Sequence, residues 1–371
     1  MNISELQTPA ILLDLDRMER NITRYHQAAL NRGKEIWPML KTHKSLEIAR
    51  LQAQAGCSGF LCGTLDEAEA LADAGFDDLM YAYPVSTAVS ARRVAALAKK
   101  CRFFARLDDL DAARALDCAA AEADVNINYT MIVDSGLHRF GVMPEKIRAF
   151  AEEMRQFSNL TLCGISTHTG QVYGATSHAD VERCCDEERW AMARAAEALR
   201  EGGFAISMVT SGTTPTFFGV LDDENINIYH PGNYVYHDVI QLGMEAAAEE
   251  DCALSVLASV ISHPTEDLFL CDAGSKCLGL DQGAHGNGSV RGFGRVVGHP
   301  ELTVSGLSEE VGKLHVGGPT TLRVGDLIRI IPNHACSAAN MTRYCMCVRG
   351  DQVERLIEVD LRSNSTSKAF A

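Results

Sequence analysis

Several short stretches pair reactive side chains with a spacing that keeps them together. Lys41 directly follows the apolar run Ile36-Trp37-Pro38-Met39-Leu40 and opens Lys41-Thr42-His43-Lys44. A lysine at the end of a buried strand keeps its stem in the core and its amine at the rim. Partial loss of water disfavours an ammonium, leaving a nucleophile able to form a Schiff base. An ordinary strand-end lysine reaching solvent has the same local sequence, so Lys41 alone decides nothing. Lys44 reads as a surface residue and His43 as a packing or capping one.

Ser211-Gly212-Thr213-Thr214 offers hydroxyls and unhindered backbone N–H groups after another apolar run, the composition of an anion cup. A Ser/Thr-rich turn looks the same. Pro231-Gly232-Asn233-Tyr234 is a second flexible turn whose donors could complete such a cup. An amine and a phosphate cup on one rim together suggest pyridoxal phosphate. His168-Thr169-Gly170-Gln171-Val172-Tyr173 ends a further run. In Ile331-Pro332-Asn333-His334-Ala335-Cys336 an extended backbone would turn His334 and Cys336 to one side. Imidazole and thiolate can share a soft divalent ion, zinc above all, with positions left open for substrate. Chance produces such a pair readily among 12 histidines and 13 cysteines. Cys345-Met346-Cys347 has the same spacing inside an apolar strand and reads as core. Cys184 and Cys185 are adjacent on a helix and diverge.

These residues need a scaffold. Apolar runs at Ile11–Leu15, Glu35–Leu40, Gly59–Gly63, Asp78–Tyr83, Arg102–Leu107, Asn126–Asp134, Leu162–His168 and Ile206–Ser211 alternate with helical stretches such as Leu65–Ala74 and Asp180–Glu201. Repeated strand–helix units require crossovers and so a parallel sheet. Eight of them predict an α/β TIM barrel, with its chemistry at the C-terminal strand ends. An open doubly wound sheet is the alternative, but no Gly-rich loop follows the first strand. Beyond Leu254 the pattern changes to strands and turns: Leu254–Ile261, Leu268–Cys271, Leu327–Ile331, Cys345–Val348 and Gln352–Val359. The expected division is a barrel over 1–245 and a β domain over 246–371, with the first residues able to join the latter. The tail Ser363–Ala371 is expected to fray.

Composition sets outer bounds. The chain has 371 residues and a formal net charge of −15, which disfavours nucleic acid and anionic lipid as partners. Its apolar runs are strand-length, too short for a membrane span. The first residues lack the pattern of a signal peptide. Thirteen scattered cysteines, an odd number, suggest reduced thiols in the cytoplasm rather than a disulfide framework.

Taken in order, the motifs resemble the D-serine dehydratase and D-threonine aldolase group of pyridoxal-phosphate enzymes, related in fold to alanine racemase. The likeness runs through Thr8-Pro9-Ala10, Leu13-Asp14-Leu15-Asp16, Lys41-Thr42-His43-Lys44, Asp134-Ser135-Gly136-Leu137-His138-Arg139-Phe140-Gly141-Val142 and His168–Tyr173. It continues through Ser211–Thr216, Gly232-Asn233-Tyr234, Asp272-Ala273-Gly274-Ser275-Lys276 and Pro332–Cys336. The resemblance implies that Lys41 carries the cofactor and that Arg139 and Tyr173 lie near its ring. It puts Ser211, Gly212, Thr213, Gly232, Asn233 and Tyr234 around the phosphate and His168 near the reacting centre. His334 and Cys336 would be the metal ligands. Cys336 favours a zinc-dependent dehydratase, because the aldolases of the group tend to carry Asp there. The resemblance also implies a homodimer.

Two departures stand out. Relatives commonly have Glu-His-Gly where this chain has Glu310-Val311-Gly312, and many have Arg where it has His230. A histidine facing the pyridine nitrogen would be a weaker fixed charge and would alter the ring as an electron sink. The activity implied is dehydration and deamination of D-serine or D-threo-3-hydroxyaspartate to an oxo acid and ammonia. Aldol cleavage of a D-3-hydroxy amino acid uses the same parts, with His168 as base. A racemase would leave the metal pair idle, and a non-catalytic cofactor-binding protein of this type would lack the added β domain.

Overall fold

The computed structural model describes residues 1–285 and 287–362; the tail expected to fray lies outside them. The chain opens with β1 (Ala10–Asp14), then β2 (Glu35–Ile36), β3 (Phe60–Cys62), β4 (Leu79–Pro84), β5 (Phe103–Leu107), β6 (Ile127–Ile132), β7 (Leu160–Ser166), β8 (Met208–Ser211) and β9 (Ile228–Tyr229). Strands β2 to β9 form one parallel sheet in the order β2-β9-β8-β7-β6-β5-β4-β3. It curls until its ends meet: Leu61 N–H donates to the Pro38 carbonyl at 3.0 Å, beside the parallel Met39–Leu61 bridge.

The strand count is eight, as expected, but its membership differs. The run Ile11–Leu15 is not a barrel strand. As β1 it lies in the other sheet, antiparallel to β10 (Leu254–Thr265) and parallel to the strand Tyr344–Arg349. The eighth barrel strand is β9, which has only two residues. Polar caps begin the helices between strands: Asp14 accepts from Arg17 N, Thr64 from Glu67 N and Ser177 from Asp180 N, satisfying amides that lack an intrahelical partner. Strand β5 is buried at all five positions because helices cover its outer face and the barrel interior its inner one.

The second sheet adds β11 (Leu268–Cys271), β12 (Arg295–Val296), β13 (Leu302–Leu307), β14 (Gly312–Val316), β15 (Leu327–Ile331), β16 (Tyr344–Arg349) and β17 (Gln352–Glu358). Its main path runs β13-β14-β11-β10-β1-β16-β17, and β15 also pairs with β10. All its pairings are antiparallel except β1 with β16. Between β15 and β16 the helix Ala335–Met341 turns back over the barrel mouth. All thirteen cysteines are unbridged, and Cys345 and Cys347 are buried packing residues. Among the described residues no helix is long and apolar enough to cross a membrane.

Candidate active site

The C-terminal strand ends and the start of the helix Ala335–Met341 enclose a cavity of about 700 Å³. Lys41 enters it from the short turn Leu40–Thr42, where the chain leaves the barrel after β2. Its stem fits only because residue 63 is glycine: a Cβ there would lie 2.8 Å from the Lys41 Cβ.

Lys44 departs from expectation. It is 3% exposed, and its ammonium lies 3.0 Å from the buried Glu67 carboxylate. Glu67 in turn accepts the Gly63 N–H at 2.6 Å. Backbone with φ of 46° at Lys44 turns the side chain inward, and the ion pair offsets the desolvation that this requires. His43 is also buried, its Nε2 3.1 Å from Gln52 Oε1 and its Nδ1 accepting the Ser45 N–H.

The two turns lie side by side, the His230 N–H donating to the Ser211 carbonyl at 2.8 Å, and both line the cavity. Among the described residues, the N–H groups of Gly212, Thr213, Gly232 and Asn233 donate to no other group. Both glycines are obligatory for packing. A Cβ on Gly212 would fall 2.5 Å from the His230 nitrogen, and one on Gly232 2.8 Å from Thr42 Oγ1. The hydroxyls shape the cup rather than line it: Thr213 Oγ1 meets Thr216 Oγ1 at 2.9 Å, and Thr214 Oγ1 accepts the Tyr234 N–H. The Ser211 hydroxyl donates to buried Glu188. The Tyr234 hydroxyl lies 2.7 Å from His26 Nε2, inside the core. Of the expected phosphate group, therefore, Gly212, Thr213, Gly232 and Asn233 line the cavity while the side chains of Ser211 and Tyr234 point away from it. Open backbone donors, glycine clearance and a nearby lysine together fit pyridoxal phosphate.

His168 lines the same cavity with Arg139 and Tyr173. Its Nδ1 lies 3.2 Å from the Gly212 carbonyl oxygen. That oxygen only accepts, so Nδ1 carries the hydrogen and Nε2 the lone pair. Burial, with Lys41, His285 and Arg139 nearby, holds its pKa well below the usual range, so the ring stays neutral. His285 Nε2 stands 3.5 Å from His168 Nε2, and its ring lies beside Tyr173.

His334 and Cys336 both face the cavity, but not on extended backbone. His334 is the N-cap of the helix Ala335–Met341 and Cys336 lies on its first turn. Burial would raise the Cys336 thiol, yet the adjacent His334 outweighs it and the net shift is downward. Burial opposes protonation of His334, but Cys336 and Asp281 raise its pKa overall. By contrast, burial pushes the Cys345 thiol up to about 12. A thiolate-favouring cysteine beside an imidazole suits a soft ion. Among the described residues no group of three or more His, Cys, Asp and Glu converges.

Sequence reasoning missed Arg106, Asp281 and His285. Arg106 is 2% exposed, donates to Ser166 Oγ at 2.8 Å and lines the cavity. A lone arginine within Phe103–Leu107 was its only signal. Asp281 Oδ1 lies 3.4 Å from His334 Nδ1. Val311 sits in the turn between β13 and β14 and is not among the lining residues.

Residues 13–239 match the family model described as alanine racemase, N-terminal domain, and residues 253–348 the putative serine dehydratase domain. The chain is 30% identical over 347 residues to a D-threo-3-hydroxyaspartate dehydratase of Delftia sp. (strain HT23), covering 90% of this chain and 91% of that one. It is 28% identical over 372 residues to a 3-hydroxy-D-aspartate aldolase of Paracoccus denitrificans (strain Pd 1222), covering 98% and 94%. A solved D-threo-3-hydroxyaspartate dehydratase, a cysteine-to-alanine mutant in the metal-free form, superposes with a TM-score of 0.90 at 28% identity over 99% of this chain and 100% of that one.

Proposed function

This chain belongs to the alanine-racemase-like family of pyridoxal-phosphate-dependent enzymes that carry a serine dehydratase domain, and from that premise we propose that it is a lyase for D-β-hydroxy amino acids. The reaction assigned is dehydration and deamination of D-threo-3-hydroxyaspartate or D-serine to an oxo acid and ammonia. One observation carries this reading: Lys41, the open phosphate cup and the His334–Cys336 pair line a single cavity.

Pyridoxal phosphate, when bound, supplies an electron sink for the pair released from a bond at Cα. A divalent ion on His334 and Cys336 supplies a Lewis acid for the β-hydroxyl. Gly212, Thr213, Gly232 and Asn233 would hold the phosphate through backbone N–H groups. Lys41 Nζ takes the Cα proton. The same nitrogen would return it to the departing hydroxide, so that water leaves; the dehydrated amino acid, once released from the site, takes up one water to give the oxo acid and ammonia. Arg106, Arg139 and Lys41 make the lining cationic, since its one carboxylate, Glu67, faces Lys44. Such a lining attracts an anionic cofactor and a mono- or dicarboxylate substrate.

A second reading, aldol cleavage, is favoured by the lone pair on His168 Nε2, a base able to take the hydroxyl proton. Zinc, a cytoplasmic setting and a homodimer belong to the proposal as well. The thiolate ligand supports zinc, unbridged cysteines support a reducing compartment, and the dimer rests on likeness to the family. We also divide the chain at 245/246, where parallel pairing gives way to antiparallel. Product identification tests the function. Holoenzyme given D-threo-3-hydroxyaspartate should form oxaloacetate and ammonia, whereas an aldolase forms glycine and glyoxylate. Failure to turn over any D-β-hydroxy amino acid would overturn the assignment.

A further inference from the structure

In aldol cleavage His168 Nε2 would take the β-hydroxyl proton, but that atom already has a partner. The His168 Nδ1 hydrogen goes to the Gly212 carbonyl oxygen at 3.2 Å, which leaves Nε2 as an acceptor. His285 Nε2 stands 3.5 Å from that lone pair. Two ring nitrogens at this distance attract only if one of them carries a hydrogen. His168 holds its own on the far side of the ring, so the hydrogen between them belongs to His285.

The loop around His285 is built to keep it there. The Asn287 N–H donates to the Ala284 carbonyl at 3.0 Å, closing a tight turn with His285 at its first corner. The backbone at His285 has φ of 55°, a left-handed conformation unfavourable for any residue with a Cβ. Just before the turn, a Cβ on Gly283 would fall 1.5 Å from the Asn287 carbonyl oxygen. Asn333 clasps the base of the loop, its Nδ2 donating to the carbonyls of Asp281 and Gly292, both at 2.8 Å. The next residue is His334, whose Nδ1 lies 3.4 Å from Asp281 Oδ1. The loop is thus anchored beside the metal pair and carries His285 to His168. The His285 ring also packs beside Tyr173, their centroids 5.0 Å apart. Strain retained at an exposed residue that lines the cavity points to a task for its side chain.

The two lyase reactions differ in what they ask of His168. In aldol cleavage a base takes the β-hydroxyl proton, the oxygen becomes the carbonyl of the aldehyde, and the Cα–Cβ pair stays on Cα until a proton replaces the lost carbon. Dehydration requires no base at that oxygen: the Cα proton leaves, and the hydroxyl then departs with the Cβ–O pair. We propose that His285 donates its Nε2–H to His168, occupies the lone pair that aldol cleavage requires, and so commits the site to dehydration. His285 is a positioning residue in this scheme, since it acts through His168.

The inference rests on the reading that the chain is a lyase for D-β-hydroxy amino acids, and two measurements separate them. Protein labelled with nitrogen-15 in its histidines reports ring tautomers by NMR without any turnover, His168→Gln and His285→Gln identifying the signals. The Nδ1–H form of His168 beside the Nε2–H form of His285 is expected; any other neutral pattern overturns the proposal and leaves the lyase reading standing. Holoenzyme is then given D-threo-3-hydroxyaspartate, and glycine is measured against oxaloacetate. In His285→Ala that ratio should rise by about 10-fold, the effect of freeing one hydrogen bond. In His285→Gln, which keeps an N–H at the same reach, the ratio should stay near that of the wild type. No rise in the first variant, or an equal rise in the second, overturns the proposal. Adding His168→Ala to His285→Ala should abolish the extra glycine, and glycine that persists overturns it too. Glycine and glyoxylate as the main wild-type products would overturn the proposal while leaving a lyase. No turnover of any D-β-hydroxy amino acid would overturn the lyase reading and the proposal with it.

Discussion

Cys336 Sγ lies 3.5 Å from Thr42 Oγ1, the residue next to Lys41, although 294 positions separate them in sequence. The contact joins the helix Ala335–Met341 to the lysine turn, so the proposed ion and the proposed Schiff-base amine share one wall. Asn233 reinforces that wall, its Nδ2 2.6 Å from Asp238 Oδ2 and 3.7 Å from Cys336 Sγ.

Removing either member of the pair should therefore disable the chemistry without unfolding the barrel. Cys336→Ala and His334→Ala are each expected to lose bound metal and to lower kcat by roughly 100-fold or more, since a Lewis acid contributes several kcal/mol to such a step. Metal content and turnover before and after chelation measure this. Full turnover in a demonstrably metal-free protein would refute the role of the pair.

Gly212→Ala tests the cup. The added Cβ would lie 2.5 Å from a backbone nitrogen, an atom that cannot swing aside, so the turn must shift. The cofactor Kd is expected to rise by at least about 10-fold, the cost of roughly one displaced hydrogen bond to a charged group. Titration followed by visible absorbance gives the value; an unchanged Kd would remove Gly212 from the phosphate site.

The buried Lys44–Glu67 pair should matter to stability. In Glu67→Gln the carboxylate facing Lys44 is gone and the ammonium stays in a dry site. Losing one partner of a buried pair typically costs about 3–5 kcal/mol. Urea unfolding of the holo form should show a lower midpoint at unchanged m-value. A midpoint equal to that of the wild type would mean that water reaches Lys44.

Acid should destabilise the fold before its carboxylates titrate. Burial lowers the pKa of His26, His43 and His237 to about 4 in each case. Their folded-state pKa values lie below the unfolded value of about 6.5. As pH falls through 6.5 the unfolded chain takes up protons first, so stability drops progressively from there down to about 4. Unfolding midpoints at pH 7 and pH 5 measure it, with the lower midpoint expected at pH 5. Equal midpoints would show that these rings are hydrated or already charged.

Much of the site was legible in the sequence because it rests on local chemistry. A lysine closing an apolar run, glycines beside hydroxyl residues, and histidine two places before cysteine are patterns that need no fold to be noticed. Lys41, Gly212, Thr213, Gly232, Asn233, His334 and Cys336 all line the cavity. The side-chain directions of Ser211 and Tyr234 were not legible, since a cup built from backbone N–H groups leaves its side chains free to turn into the core.

The alternation of strand and helix was equally plain, and with it the parallel barrel and the β sheet that follows. Sequence left open whether Ala10–Asp14 joins the barrel or the second sheet, because a strand buried along its whole length looks the same in either. Nor could it see β9, for two residues carry no period. Only the tertiary structure buried Lys44 against Glu67, set His285 beside His168, and brought His230 and Arg106 to one cavity. Each of these depends on distance in space between residues far apart in the chain, and local pattern holds no information about that distance.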